Sequence, residues 1–169
     1  MKAAARRLPR PPGVATRILR DERGIASIEF AFVAVIAVIL IIGTIEIALE
    51  MIVDASVQAA AQAASRVGLT TTAPSTGSRA QEAQRIVETI LGGWRNANAT
   101  ITVTELNYGS YGYGNVASST YTPTQDMGGY GDVVAYNIQL RMPGITGIPA
   151  MFGVNELIFE RNFIVQNEK

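Results

Sequence analysis

The chain has 169 residues, enough for one modest domain and an appendage, and contains neither cysteine nor histidine. Disulfides, thiolate nucleophiles, imidazole metal ligands and histidine general bases are excluded together. Net charge is zero but unevenly spread: residues 1–24 carry seven basic side chains against Asp21 and Glu22, a net +5, and the remainder carries −5. Such asymmetry points to a membrane or nucleic acid near the basic segment, or on its own to a solvated tail.

The residues after the basic segment decide between these. Phe30 to Ile45 is sixteen residues without a formal charge, and extension back through Glu29 to Ile25 gives twenty-one. A helix of that length spans roughly 32 Å, against a hydrocarbon core about 30 Å thick. The fit requires Glu29 to lie inside the apolar stretch. A buried soluble helix could be as apolar, but would rarely follow a +5 leader. The next basic residue, Arg66, lies twenty-one residues beyond Ile45. The positive-inside rule therefore keeps the N-terminus cytoplasmic and exports the C-terminal hundred residues. The apolar stretch exceeds the core of a cleaved secretory signal, and no small-x-small site lies closely beyond it, so the helix is expected to be retained.

Helical spacing continues past the apolar run. Ile45, Leu49 and Ile52 lead into Ser56, Ala59 and Ala63, and Gly68 is a natural stop. One helix from about Gly24 to Val67 is predicted. Its small-residue face could receive the chain's own head or a partner helix, and the sequence favours neither. Glu46, Glu50 and Asp54 are spaced four apart and share a face. That face reads as solvated, marking the outer membrane boundary, or as the match for a basic partner surface.

Residues 69–78 read as a linker and 79–169 as the head. Ser78 with Gln81 has capping-box spacing. The segment "RAQEAQRIVETILGG" then predicts a helix ended by Gly92, with Ala83, Ile86, Val87, Ile90 and Leu91 on its apolar face. From Ala99 the period becomes two, and "ATITVTELNY", "DVVAYNIQLRMP" and "ELIFERNFIVQ" predict three strands. Between them lie a Tyr/Gly-rich loop over 108–131, bearing Tyr108, Tyr111, Tyr113, Tyr121 and Tyr130, and the apolar connection "PGITGIPAMFGVN". The tyrosines suit loop packing or an adaptable binding surface. The expected fold is α+β: a long N-terminal transmembrane helix continuing into an exported head with one further helix and a small, about three-stranded antiparallel sheet.

Reaction chemistry is not legible. No nucleophile–base pair is available, and the zinc-protease, EF-hand and Walker patterns are missing. No enzyme, cofactor or metal is expected. Beyond Val67 only Arg79, Arg85, Arg95, Arg141, Arg161 and Lys169 are basic, so nucleic acid is not an expected partner.

A basic leader ending in Gly24, followed by "IASIEF" opening a long apolar helix, resembles a type IV prepilin. The stretch from about residue 20 to 68 resembles the TadE-like pseudopilins of the tight-adherence (Tad/Flp) pilus system. The family pattern is matched by Gly24, by Glu29 with Phe30 after it, by Gly43-Thr44-Ile45-Glu46, and by Ala61–Arg66 with Ser65 before the arginine. Phe30 stands where related pseudopilins often have tyrosine. The resemblance implies removal of residues 1–24 by a prepilin peptidase, with Gly24 and Ile25 as the processing site. It also implies that Glu29, beside Phe30, pairs with the N-terminal amine of a neighbouring subunit. Implied partners are the peptidase, other pilins or pseudopilins, the Tad assembly machinery and membrane lipid. The implied location is single-pass in the inner membrane, with a periplasmic head. A hundred-residue head suggests a minor pseudopilin rather than the short major pilin. The alternatives are an unprocessed signal-anchor protein with a partner-binding head, and a tethered periplasmic enzyme.

Overall fold

The computed structural model describes residues 23–70, 72, 74–110 and 112–168. The expected leader, residues 1–22 above all, lies outside the described residues, as does Tyr111. The chain divides into two compact units, Met1–Ile41 and Ile42–Lys169. The helix α1 (Arg23–Leu69, 47 residues) contributes to both. In the first unit it carries apolar side chains on all sides, and Phe30, Phe32, Val35 and Leu40 are exposed. Its mean hydropathy reaches 2.8 over the most apolar window. It is long and apolar enough to serve as a single membrane anchor.

The second unit is an α+β head. The helix α2 (Arg79–Leu91) begins at Ser78, whose hydroxyl accepts from the Gln81 amide at 3.2 Å while Gln81 Oε1 accepts from the Ser78 amide at 2.9 Å. This is the capping box the sequence predicts. The α-helix ends at Leu91 with Gly92 as its C-cap, as the sequence predicts; a 3₁₀ segment follows over Gly92–Ala97, and Asn98 terminates that in a left-handed conformation. Three antiparallel strands come next, β1 (Thr100–Asn107), β2 (Val133–Met142) and β3 (Leu157–Gln166), with β2 in the centre. Ile138 lies opposite Val103 on one side and Arg161 on the other. The expected loop 108–131 contains a short helix, α3 (Gly112–Val116), and the β2–β3 connection contains another, α4 (Ile148–Met151).

The core lies between one face of the sheet and the two long helices. Tyr136, Ile138 and Leu140 of β2 meet Val53, Val57, Ala60, Ala61 and Ala64 of α1 and Ala83, Val87 and Leu91 of α2. The alanines let α1 approach the sheet closely, so part of the small-residue face serves the chain's own head. The predicted stripe is offset from it. Ile45, Ile52 and Ala59 remain exposed, and the buried row is Val53, Val57, Ala60 and Ala64. α1 ends at Leu69, one residue past the stop expected at Gly68. A Cβ at position 68 would overlap the Tyr136 hydroxyl, so Gly68 is required by close packing.

The Tyr/Gly-rich segment is held by the fold. Arg79 donates to the Thr70 and Met127 carbonyls, at 3.0 Å each, and to that of Gly128. Buried Asn167 donates to the carbonyls of Met127 and Gly129. Tyr108 and Tyr121 stack with ring centres 6.1 Å apart.

Candidate functional site

Gly24, Ile25, Glu29 and Phe30 all fall within the helical span of α1. Residues four apart lie on one helix face, so positions 25 and 29 are neighbours along the axis, about 6 Å apart in rise. The Glu29 and Phe30 side chains are exposed. Among the described residues, no cation pairs with Glu29. A carboxylate so placed in an apolar helix costs about 3 kcal/mol at the centre of a bilayer and less near its edge. It can accept from any ammonium or guanidinium brought beside it. The helix thus presents an acceptor, a ring next to it and an apolar surround.

A second acid on the same helix is treated differently. Glu46 is 3% exposed. Its Oε1 accepts from the Ile145 amide at 2.8 Å and its Oε2 from the Thr146 amide at 2.6 Å. Both donors belong to the β2–β3 connection. Gly144 permits this approach, because a Cβ there would come within 3.0 Å of Glu46 Oε1 and 2.6 Å of the Pro149 ring. Two turns along, Asp54 accepts from Arg161 Nη2 at 2.5 and 2.6 Å, and Gln58 accepts from Arg161 Nε at 3.0 Å. The solvated acidic face expected from the sequence is therefore divided. Glu46 and Asp54 fasten the head to α1, and Glu50 is half-buried beside Ile47, Met51 and Phe159.

Sequence reasoning missed these contacts, though one signal was available. Arg161 sits between Phe159 and Phe163 in the alternation of β3, so it points to the helix side, where a row of acids waits. The Glu46 latch had no such signal, because its donors are backbone amides.

Two further titratable groups lie in the head, half-buried Glu105 and buried Tyr136. Glu105 extends the inward row of Ile101 and Val103 and lies opposite Tyr136 in the register. Burial pushes its carboxyl above the usual range. Burial likewise pushes the Tyr136 hydroxyl up to about 12. No cluster of acidic side chains that could hold a metal ion occurs among the described residues.

Residues 24–66 match the family model described as TadE-like protein. The match covers Gly24, Glu29, Phe30, Glu46 and the alanine row, and ends before α2. No curated protein and no solved structure gives a significant match to the chain. Glu29, exposed on the apolar stretch, and Glu46, held by the amides of Ile145 and Thr146, both lie in the matched segment, so that over residues 24–66 the chain is similar to the TadE-like proteins of the Tad pilus system.

Proposed function

We infer that the chain is a minor pseudopilin supporting assembly or initiation of a Tad/Flp-type adhesive pilus, with no catalytic activity of its own. It enters the inner membrane with its N-terminus cytoplasmic and its head periplasmic. A prepilin peptidase hydrolyses the peptide bond after Gly24 and leaves a free α-amine on Ile25. That amine is mostly protonated at neutral pH, since such groups titrate near about 8. The ammonium of one subunit then pairs with Glu29 of the next, beside Phe30, and removes much of the cost of a carboxylate in lipid.

The observation that carries this reading is the TadE-like match over residues 24–66, with Glu29 exposed one turn from Ile25. Mass spectrometry of protein extracted from membranes with an active prepilin peptidase should find Ile25 as the N-terminus. A chain still beginning at Met1 would defeat the processing step and leave a signal-anchor protein. Glu29→Ala should abolish or severely reduce pilus assembly with the protein still in the membrane, and unchanged piliation would remove the pairing role.

A further inference from the structure

We propose that the β2–β3 connection is a second membrane contact, inserting Met151 and Phe152 into the interfacial layer of the bilayer that α1 crosses. It rests on the reading of α1 as a membrane anchor and adds a lipid-binding surface on the head.

The direction of the strands places this connection. Glu46 meets Ile145 and Thr146, Asp54 meets Arg161, and the Leu69 carbonyl accepts from the Glu168 amide. The chain from 145 to 168 therefore runs alongside α1 in the same direction, and the β2–β3 connection lies at the Glu46 end of the head. Glu46 is the first charge after the uncharged run Phe30–Ile45, so it marks where hydrocarbon gives way to the interface. Its two hydrogen bonds fix the connection at that depth.

The composition of the connection fits that position. Met142 to Asn155 contains no charged residue, and the flanking Arg141 and Glu156 pair with each other at 3.3 Å at its base. Met151 is 72% exposed and Phe152 77%, with Ile145 and Val154 exposed nearby. The tip is a defined turn: the Phe152 and Val154 amides both donate to the Pro149 carbonyl at 3.0 Å, and Gly153 takes a left-handed φ of 83°. The two large side chains are thus presented with little ordering cost. The opposite end of the head carries Asp126, Tyr130 and Asp132 instead. An apolar, uncharged turn held at the hydrocarbon boundary matches a lipid interface, where side chains of this kind sit about 5–10 Å into the headgroup layer.

The absence of native cysteine allows a direct test. Full-length protein bearing Phe152→Cys, Met151→Cys, Tyr130→Cys or Val38→Cys is labelled with a polarity-sensitive fluorophore. It is then reconstituted in phosphatidylcholine–phosphatidylglycerol vesicles containing nitroxide lipids of defined depth. The label at 38 should be quenched by mid-chain nitroxide. Labels at 151 and 152 should be quenched by headgroup-depth nitroxide about twofold or more relative to the label at 130. If 38 is quenched while 151 and 152 behave like 130, the anchor stands and the proposal is overturned. A blue-shifted label at 152 that nitroxide lipid does not quench means a protein surface covers the turn, and this also overturns it. An unquenched label at 38 removes the anchor reading and the proposal together.

Discussion

Along α1, the stretch from Ala26 to Ile45 and the stretch from Glu46 to Leu69 obey different rules. The first is apolar on every side, and its large side chains, Phe32 and Leu40 among them, are exposed. The second buries one side, built from Val and Ala, against the sheet, and leaves Ile47, Met51 and Ile52 exposed near its start. A helix that is hydrophobic all round calls for a lipid solvent, whereas a one-sided helix calls for a packing partner. The two glutamates obey the same division. Glu29 has no cationic partner among the described residues, and Glu46 receives two amides from its own head. In the first stretch a carboxylate must be neutralised by something brought to it; in the second the fold provides the donors.

Gly43 and Gly68, one in each stretch of α1, offer the sharpest way to break this comparison. A Cβ at Gly43 meets nothing within 4 Å, whereas one at Gly68 overlaps the Tyr136 ring. Gly68→Ala should destabilise the head by about 3 kcal/mol, the upper range for an overpacked core. Gly43→Ala should leave the head's thermal unfolding in detergent unchanged or slightly raised, since alanine favours a helix by about 1 kcal/mol over glycine. Tyr136→Phe removes the nearest overlapping atom and should recover part of the Gly68→Ala loss. Equal losses at both glycines would mean that the two stretches do not differ.

A smaller effect tests the latch. Glu46→Ala leaves two backbone amides without their acceptor and should cost about 2 kcal/mol. Hydrogen exchange at Ile145 and Thr146 should accelerate, and Glu46→Gln, which keeps one acceptor oxygen, should fall between the parent and Glu46→Ala. If exchange at these two amides is unaltered, the latch contributes nothing.

The smallest effect depends on pH. Burial raises the Glu105 carboxyl, so the folded state holds that proton to higher pH than the unfolded state. Its contribution is therefore most favourable below the unfolded value, near about 4.3, and is lost as pH rises through the folded one. Asp126 works the opposite way: the Thr124 hydroxyl and the Asn107 side chain hold its carboxyl low. Glu105→Gln should therefore stabilise the head at pH 7 relative to the parent, with the gain shrinking toward pH 4. A gain independent of pH would assign the effect to packing rather than charge.

The features legible in the sequence are local. The capping box at Ser78 needs two residues three apart, and the strands announce themselves by alternation within eight or ten positions. The apolar run, Gly24 and Glu29 are likewise contiguous. The features that stay hidden depend on distant partners. The Glu46 latch joins residues 99 apart in sequence and uses amides that every residue but proline possesses. Gly68 reads as a terminator because glycine commonly ends helices, and only the position of Tyr136 shows the other reason for it. The short helices at Gly112 and Ile148 lie in glycine-rich or apolar stretches with no helical period to reveal them.

The row of Val53, Val57, Ala60, Ala61 and Ala64 also bears on how the protein can be taken apart. Those residues form one wall of the head's core, yet they precede the linker that divides the chain by composition. A fragment beginning at Arg79 would lose that wall, along with the partners of Arg161 and Glu168. A separable head has to start near Glu46, partway along the helix, so the natural cut in this protein falls inside an element of secondary structure and not in the loop beyond it.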